Sequence, residues 1–380
     1  MGGIVYMSLL EELQNLDIDD SIDELHNETL PLVMWGAGSS ASEVFYYLQN
    51  RGIKIADIFV DDEYYSENMV LEGKTVLSYS MLKEKYDMVN VIMGNSYYEK
   101  KEILKKKECI GDVFCLFSMS YHVFERTSYE EIEQHLQDFQ ETLDVLEDEL
   151  SKSNFMAFLK TRVSGNNRYI EEVFKYETTF FENDIIQLCE NEVYLDVGAF
   201  DGDTIRMFLR KTDHRYQHIY EFEADDENYL KLRNYISDIK LERIELSNKG
   251  AWNEKGRRAF LKNQKQASGV ADNTETHNYI QADISTIMME SLDEMFYYTN
   301  KVTLFKINYR NGVKEALEGS ANILRDHMPK LVITVGFDCY NVRAIPKLIK
   351  RINSKYRFYM RFCRSMASGL VLYGVAEEAE

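Results

Sequence analysis

The feature that most constrains the fold is a short apolar run that ends in a glycine turn. Residues 193–197 read Val-Tyr-Leu-Asp-Val, as in a strand buried on both faces. Gly198 and Gly202 follow, and apolar side chains then recur at helical spacing, at Ile205, Phe208 and Leu209. We therefore predict a strand, a tight turn and a helix whose free N–H groups lie at the turn. Glycine has no Cβ, so a ligand could approach the backbone of this turn closely.

A similar but weaker pattern occurs earlier in the chain. A strand at residues 32–35 leads into the turn Gly36-Ala-Gly38-Ser39, and a second strand ends at Asp61. A glycine turn with an acid about 25 residues later is the outline of the dinucleotide fingerprint. Gly36, Gly38, Ser39 and Asp61 are therefore candidates for a nucleotide turn. The alternative is a Rossmann-like unit that serves packing or substrate placement.

A chain of 380 residues is long enough for two separate cores. We predict an amphipathic N-terminal helix (1–27), a Rossmann-like α/β domain (28–118), a helical linker (119–185) and a larger α/β domain (186–380). In the larger domain, strands are expected at 193–197, 218–222, 243–246, 302–308 and 331–335, with an inserted pair of short strands within 257–285. Residues 356–362 and 370–375 are expected to form a terminal antiparallel hairpin, which gives a mostly parallel sheet.

The linker contains a heptad pattern. Ser128 and Glu131 have the spacing of a capping box, and apolar residues follow at intervals of four and three, at Ile132, Leu136, Phe139, Leu143, Leu146 and Leu150. One hypothesis is a helix over residues 128–150 that forms a homodimer. The other is a helix that packs on its own chain.

Charge and composition restrict the partners. The formal net charge of −20 argues against nucleic acid and anionic membrane surfaces, which would repel the chain. No apolar run is long enough for membrane insertion, and the first residues lack the features of a signal peptide. The five cysteines and seven histidines show no metal-ligand spacing, so we expect no metal. Together these features indicate a cytoplasmic protein.

Polar residues stand at the predicted carboxyl ends of four strands of the larger domain: Asp196, Glu223, Asn248 and Asn308. Ligands of doubly wound sheets bind at this edge. A carboxylate at Glu223, 27 residues after Asp196, could accept hydrogen bonds from both hydroxyls of a ribose. The acids Asp196, Asp201 and Asp203 would repel a phosphate, so a nucleotide cofactor without phosphates, S-adenosylmethionine, is the candidate ligand.

The order of several motifs resembles the FkbM family of S-adenosylmethionine-dependent methyltransferases. The longest is Val-Tyr-Leu-Asp-Val-Gly-Ala-Phe-Asp-Gly-Asp-Thr at 193–204. Others follow in sequence: Tyr-Glu-Phe-Glu-Ala-Asp at 220–225, Asn-Lys-Gly-Ala-Trp at 248–252, Ser-Leu-Asp at 291–293, Phe-Lys-Ile at 305–307, Glu-Ala-Leu-Glu-Gly at 315–319 and Pro-Lys-Leu at 329–331. The resemblance covers roughly residues 150–376. It implies a class I, Rossmann-like methyltransferase sheet, and some family members carry a Rossmann-like domain ahead of it.

The resemblance also implies roles for individual residues. Cofactor binding would fall to Asp196, Gly198, Ala199, Phe200, Asp201, Gly202, Thr204, Glu223, Asn248 and Trp252, with Glu223 on the ribose and the last two near the adenine. Family members typically methylate hydroxyls, often on sugars of glycans or on natural products. A small-molecule or saccharide acceptor is therefore expected here.

The chain departs from the family pattern on the acceptor side. Where the family has Asp-x-Glu-Gly-x-Glu after strand four, this chain has Asn308, Arg310, Asn311 and Val313, and Gly336-Phe337 replaces a common Tyr-His pair. Lys306, Asn308 and Asp338 are the candidate catalytic residues. An amide such as Asn308 cannot act as a base, so Asp338 or Asp293 could take that role, and Lys306 could orient the acceptor. The alternative is a cofactor-binding pseudoenzyme or scaffold in a glycan-modifying pathway.

Overall fold

The computed structural model describes residues 9–14, 16, 21–94, 100–114, 127–175, 179–181, 184–262, 269–270, 283–309 and 311–377. Arg310, which the sequence analysis singled out, lies outside the described residues.

The first part of the chain forms a six-stranded sheet around a Rossmann-like core. Its strands run β1 (Leu32–Trp35), β2 (Ile58–Val60), β3 (Val70–Leu71), β4 (Lys74–Ser78), β5 (Val89–Met93) and β6 (Ile110–Phe114). The order is β3-β4-β2-β1-β5-β6, and every pairing is parallel except β3 with β4. Helices α3 (Ser39–Asn50), α4 (Tyr79–Lys85) and α5 (Lys101–Leu104) connect the strands. The segment from Val70 to Lys85 was not predicted, because β3 has two residues and β4 mixes apolar with polar residues.

The prediction of one N-terminal helix is wrong. Two short helices form instead, α1 (Leu9–Gln14) and α2 (Ser21–His26). Leu9 and Leu13 of α1 are buried in the same apolar cluster as Ile132 and Phe139, whereas Leu25 of α2 is buried against the first sheet. The two helices are separate because each buries its apolar side chains in a different core.

The single helix over residues 128–150 is also wrong. The described linker contains four helices, α6 (Tyr129–Gln134), α7 (Leu136–Asp144), α8 (Glu149–Ser164) and α9 (Arg168–Glu171). The Ser128 Oγ accepts the Glu131 N–H at 3.1 Å, as the capping box predicts, but the backbone leaves the helical region at His135 and Val145. These breaks allow three residues of the heptad pattern, Ile132, Phe139 and Leu146, to be buried in the chain's own core.

The larger domain is built on a seven-stranded sheet. Its strands are β7 (Val193–Val197), β8 (His218–Phe222), β9 (Ile244–Ser247), β14 (Leu304–Ile307), β15 (Lys330–Thr334), β16 (Tyr356–Phe362) and β17 (Leu370–Ala376). The order is β16-β17-β15-β14-β7-β8-β9, with β17 antiparallel to both neighbours and the remaining pairs parallel. This confirms the predicted class I methyltransferase sheet with a terminal antiparallel hairpin.

A four-stranded sheet lies beside the large one, made of β10 (Gly250–Ala251), β11 (Gly256–Lys262), β12 (Gly269–Val270) and β13 (Asp283–Glu290). The helices of this domain are α10 (Asp203–Thr212), α11 (Asp226–Asp238), α12 (Leu292–Phe296), α13 (Val313–Glu318) and α14 (Cys339–Ile352), with a π-helical turn at Ile323–His327. Among the described helices, none has the length and apolarity required to cross a membrane.

The chain order of the strands reverses between β7 and β14. From β7 the chain builds outward through β8 to β9, and it then returns to place β14 on the other side of β7. A doubly wound sheet has its ligand crevice at such a switch point, outside the carboxyl ends of the strands.

Candidate functional site

A cavity of about 1060 Å³, including its open mouth, lies at the predicted edge of the large sheet. Its lining includes Gly198 after β7, Glu223 after β8, Asn308 after β14 and Thr334 at the end of β15. The strand ends therefore converge on one site, as the sequence pattern predicted.

The glycine turn is shaped by its own chain. Gly198 has φ 81° and Gly202 has φ 91°, so both occupy the left-handed region that favours glycine. A Cβ on Gly198 would collide with the carbonyl oxygen of Asn308, which follows β14. The Gly198 and Ala199 N–H groups both donate to the Phe222 carbonyl, at 2.9 and 3.0 Å. The absence of a side chain at Gly198 therefore lets the segments after β7 and β14 pack closely. Gly198 also lines the cavity.

Asp196 and Lys306 form a buried ion pair beneath the turn. Both side chains are fully buried, and Lys306 Nζ lies 2.7 Å from Asp196 Oδ1. The ammonium also donates to the Gly198 carbonyl at 2.9 Å and to Thr204 Oγ1 at 3.1 Å. The other carboxylate oxygen accepts the Tyr194 hydroxyl at 2.6 Å and the Thr204 hydroxyl at 2.8 Å. Burial raises the pKa of Asp196, and the Lys306 ammonium and the two hydroxyls oppose that rise.

Three of the predicted site residues, Asp196, Thr204 and Lys306, belong to this network. Asp196 and Thr204 do not line the cavity, and Lys306 does not reach the acceptor side. Their polar groups bind one another, which fixes the end of β7, the turn and the first residues of α10. They position the site without contacting its contents.

The other acids of the turn have different surroundings. Asp201 pairs with Arg206 at 3.1 Å and does not line the cavity. Asp203 does line it, although its Oδ1 also accepts the Thr204 N–H at 2.8 Å. Of the three acids Asp196, Asp201 and Asp203, the one that lines the cavity is Asp203. The argument against a phosphate ligand therefore depends on Asp203. Phe200 lines the cavity as well and has φ 53°, whereas Ala199 is fully buried.

Glu223 is the acidic group that faces the cavity most directly. Its Oε2 accepts the Phe200 N–H and its Oε1 accepts the Asp225 N–H, both at 2.8 Å. The side chain is 7% exposed. Burial raises the pKa of Glu223 to about 7, although the two backbone N–H groups act in the opposite direction. Each carboxylate oxygen keeps a lone pair for a ligand, so the group can accept two further hydrogen bonds.

Asn248 and Trp252 lie behind the cavity wall. The Asn248 amide donates to the Glu223 carbonyl at 3.0 Å, which holds the segment after β8 in place. The Trp252 ring packs against Gly312, and the Arg258 guanidinium lies 4.9 Å from its centre. Neither residue lines the cavity, so the implied contact with adenine is replaced by a supporting role.

Sequence reasoning missed an apolar wall of the cavity, which packs against Ala224. The small sheet contributes Phe260 from β11 and Ile287 and Met289 from β13, all of which line the cavity with Phe222 and Ala224. Its two long strands were expected only as an insertion of unknown purpose. Ile287, Met288 and Met289 are consecutive, so the sequence of β13 has no alternation that would have indicated a covered face.

The other end of the cavity is formed by the ends of β14 and β15 and the turn between β16 and β17. It includes Asn308, Thr334, Phe337, Arg364 and Ser368. Asn311 does not line the cavity, and Val313 is buried in the apolar core as the first residue of α13. The left-handed turn before α13 is supplied by Gly312, with φ 103°.

The two acids proposed as bases are structural. Asp338 is the N-cap of α14, and its Oδ1 accepts the Asn341 N–H at 2.6 Å. Asp293 accepts the N–H groups of Asn322 and Ile323 at 2.8 and 2.9 Å. Neither lines the cavity. Among the described lining residues, the acceptor end therefore offers an amide, hydroxyls and a guanidinium, and no carboxylate.

A second acid on β8, Glu221, is fully buried, and neither carboxyl oxygen has a hydrogen-bond partner among the described residues. Burial and the nearby Asp196 raise the pKa of Glu221 well above its ordinary value. Nothing in the sequence distinguished it from an exposed acid.

The first domain brings Gly36 and Asp61 to neighbouring strand ends, because Trp35 pairs with Phe59 in the β1–β2 register and the Gly36 N–H donates to the Phe59 carbonyl at 2.8 Å. Gly36 has φ 112°, but Gly38 has φ −90° and open space where a Cβ would lie, so only Gly36 requires glycine. Asp61 forms an ion pair with Lys107 in a separate depression that includes Trp35 and Tyr79. The side chain of Ser39 is outside the described part of the chain. The depression beside Asp61 does not include Gly36 or Gly38, and a nucleotide site at this turn stays a prediction.

Known structures identify the fold. Neither a scan against protein-family models nor a search of curated proteins found a match. The crystal structure of methyltransferase FkbM from Methylobacillus flagellatus KT is similar with a TM-score of 0.67 at 17% identity, over 97% of this chain and 95% of that chain.

Two further structures are similar over part of the chain. An rRNA methylase from Streptococcus thermophilus has a TM-score of 0.31 at 12% identity, over 50% of this chain and 90% of its own. An SAH-bound methyltransferase from Podospora anserina has a TM-score of 0.27 at 8% identity, over 64% of this chain and 87% of its own. These two scores are too low to support an argument, whereas the first comparison shows that the chain has the fold of methyltransferase FkbM over nearly its whole length.

Proposed function

We propose that this protein is an S-adenosylmethionine-dependent O-methyltransferase that acts on a hydroxyl of a sugar, glycan or related natural-product precursor. The observation that carries the proposal is the position of Glu223. Its carboxyl and the Gly198–Gly202 turn face one cavity at the switch point of the sheet. The shared fold with methyltransferase FkbM supports the reaction class.

The lining residues fit the cofactor in three parts. Glu223 can accept hydrogen bonds from the two ribose hydroxyls, because each of its oxygens is bound to only one backbone N–H. Phe260, Ile287 and Met289 offer an apolar surface to a flat base. Asp203, which lines the cavity with Gly198, suits the positively charged amino-acid end.

S-adenosylmethionine, when bound, would supply its methyl group to an acceptor oxygen, leaving S-adenosylhomocysteine and a proton that passes to water. The chain's contribution would be to hold the acceptor in line and in contact, which can supply a large part of the rate. A general base typically contributes a factor of about 10²–10⁴. Because Asp338 and Asp293 are engaged in capping, that factor is not available from them.

This last point favours one alternative, a cofactor-binding pseudoenzyme or scaffold in a glycan-modifying pathway. Such a protein would bind the cofactor and would not catalyse methyl transfer. A cytoplasmic location in glycan or natural-product synthesis is part of either proposal.

Calorimetry with S-adenosylmethionine and S-adenosylhomocysteine tests cofactor binding. We expect both to bind, and Glu223→Ala to weaken binding at least tenfold, because tenfold corresponds to about 1.4 kcal/mol and one hydrogen bond to a charged group contributes about 1.5–3 kcal/mol. Glu227→Ala is the matched control, since it removes an exposed carboxylate in the first turn of α11. Absence of binding by the folded wild-type protein would sink the proposal. Methyl transfer to a defined acceptor, lost in Glu223→Ala, would reject the pseudoenzyme alternative.

A further inference from the structure

A carboxyl group without a hydrogen-bond partner is buried directly behind the cavity. Glu221 on β8 is fully buried, and neither of its carboxyl oxygens has a partner among the described residues. The next two residues in the chain, Phe222 and Glu223, both line the cavity. A buried polar group that forms no hydrogen bond lowers stability, and such groups are rare in native proteins. Glu221 is therefore a candidate for a role in the site.

The neighbouring ammonium cannot serve as this partner. It has three acceptors within hydrogen-bond distance of Lys306 Nζ: Asp196 Oδ1 at 2.7 Å, the Gly198 carbonyl at 2.9 Å and Thr204 Oγ1 at 3.1 Å. An ammonium has three N–H donors, so none remains for Glu221. The Thr204 hydroxyl is engaged as well, because it donates to Asp196. The network beneath the glycine turn is thus complete without Glu221.

Three acids lie close to Glu221. Asp196 is opposite it in the β7–β8 register, Asp203 begins α10, and Glu223 follows β8. The cation Lys306 is also near, but it pairs with Asp196. Burial and Asp196, which raise the pKa of Glu221, favour its protonated form. The other two acids, Asp203 and Glu223, line the cavity, so a ligand there lies next to the acids that surround Glu221.

The other elements on this face of the sheet contribute apolar side chains. β9 places Leu246 opposite Glu221 in the register. Leu232 and Ile236 of α11 belong to the buried cluster that also contains Ile219, two residues before Glu221 on β8. Glu221 is therefore separated from water by apolar groups. A charge in such surroundings interacts with other charges more strongly than it would in water.

The cations among the described lining residues, Lys249 and Arg364, both have partners within the chain. Lys249 pairs with Glu290 at 2.9 Å. Arg364 lines the opposite end of the cavity and has an interaction of its own. The turn that carries it packs against Gly336, where a Cβ would collide with the Ala367 carbonyl oxygen. The acids around β8 are thus not neutralised by the cations of the cavity wall.

We propose that Glu221 makes the cofactor site selective for S-adenosylmethionine over S-adenosylhomocysteine. The sulfonium gives S-adenosylmethionine a net positive charge, whereas the thioether product has no net charge. Glu221 loses its proton to water when a cation occupies the cavity, because an opposite charge nearby favours the carboxylate. The neutral product does not stabilise the carboxylate, so it is released more readily. This inference rests on the proposed function and adds a specificity-determining residue to it.

Calorimetry with sinefungin and S-adenosylhomocysteine tests the proposal on the full-length protein. Sinefungin carries a primary ammonium in place of the sulfonium and cannot transfer a methyl group. For the wild type, we expect the ratio of the two dissociation constants to favour sinefungin increasingly from pH 6 to pH 8. Glu221→Gln should lower this preference at pH 8 about tenfold, which corresponds to a change of about one unit in the pKa of a carboxyl coupled to the ligand. Its affinity for S-adenosylhomocysteine should match that of the wild type.

Titrations in two buffers of different ionisation enthalpy count the protons released on binding. The wild type should release more protons with sinefungin than Glu221→Gln does, whereas the two proteins should agree with S-adenosylhomocysteine. Glu245→Gln is the matched control, because it removes an exposed acid from the neighbouring strand β9. This control should behave as the wild type with both compounds.

Glu221→Met tests whether the carboxyl serves only to stabilise the fold. Because the carboxyl of Glu221 forms no hydrogen bond, an apolar side chain of similar length should leave the midpoint of urea unfolding unchanged or raise it. The variant should lose the preference for sinefungin to the same extent as Glu221→Gln. A lower midpoint combined with an unchanged preference would overturn the inference.

The outcomes separate the two proposals. If the folded wild type bound neither sinefungin nor S-adenosylhomocysteine, the proposed function would be contradicted. If it bound both, the same preference or the same proton release in the wild type and Glu221→Gln would overturn the role of Glu221 alone.

Discussion

At the residue scale, the protonation state of the Glu223 carboxyl should control the proposed binding of the cofactor. Its carboxyl is held between the backbone N–H groups of Phe200 and Asp225 and faces the cavity. Because burial raises the pKa of Glu223 to about 7, a substantial fraction of the unliganded protein carries the neutral acid near neutral pH. The neutral acid has lost acceptor capacity that two ribose hydroxyls would use.

We therefore predict that affinity for S-adenosylhomocysteine falls as pH decreases through about 7. Well below that pH the apparent Kd should rise about tenfold per pH unit, and above pH 8 it should be nearly constant. Calorimetry across this range measures the effect.

Glu223→Gln should bind weakly and show little change over the same interval, while the control Glu227→Gln should follow the wild type. A wild-type Kd that is constant from pH 6 to 8 would contradict the prediction.

At the element scale, the Asp196–Lys306 pair joins β7, β14 and the start of α10. Lys306 lies opposite Asp196 in the β7–β14 register, and both bind Thr204 in the first turn of α10. Loss of one partner would leave an uncompensated charge in the core.

Lys306→Met should lower the free energy of unfolding by about 3–5 kcal/mol, as measured by urea denaturation. The double variant Asp196→Asn/Lys306→Met should recover part of the loss, because no buried charge remains. Lys301→Met, an exposed position before β14, is the control. A loss below about 1 kcal/mol, typical of a surface pair, would show that the pair does not stabilise the sheet.

The sequence was informative where one local pattern decided the outcome. The buried strands, the left-handed glycines at 198 and 202 and the terminal hairpin followed from periodicity and residue type alone. It was less informative about which side chains pair. Lys306 and Asp196 are 110 residues apart, so nothing local shows that they neutralise each other. Likewise, the wall formed by Ile287 and Met289 depends on how β13 folds back over the sheet.

At the scale of the whole molecule, an ion-pair cluster ties the helical linker to the edge of the large sheet. Arg361 on β16 is 3% exposed, and its guanidinium binds Asp148 and Asp184, each at 2.7 Å. Asp148 also caps α8 by accepting the Ser151 N–H at 2.7 Å. Although burial acts in the other direction, the Arg361 guanidinium and the Ser151 groups lower the pKa of Asp148 to about 2.

A carboxyl whose pKa is lowered by folding stabilises the native state above its ordinary pKa and ceases to do so as pH falls through the folded value. We therefore expect the contribution of Asp148 to be complete above about pH 4 and to be lost towards pH 2.

Urea unfolding of the wild type and Asp148→Asn at pH 5 and pH 3 measures this contribution. The variant should be less stable at pH 5, and the difference should narrow at pH 3. Asp144→Asn, an exposed position at the end of α7, should match the wild type at both values. If the difference in unfolding free energy between the wild type and Asp148→Asn did not depend on pH, the charge of Asp148 would not be the source of its contribution.

The close approach at Gly336 has a consequence for how this chain can evolve. Because the Ala367 carbonyl occupies the space of a side chain at position 336, the length of the β16–β17 turn and the size of residue 336 are linked. An insertion or deletion in that turn would free position 336 for a larger residue, and a larger residue at 336 would demand a rearranged turn. Relatives that differ at one of these places should therefore differ at the other, and the acceptor should change with both.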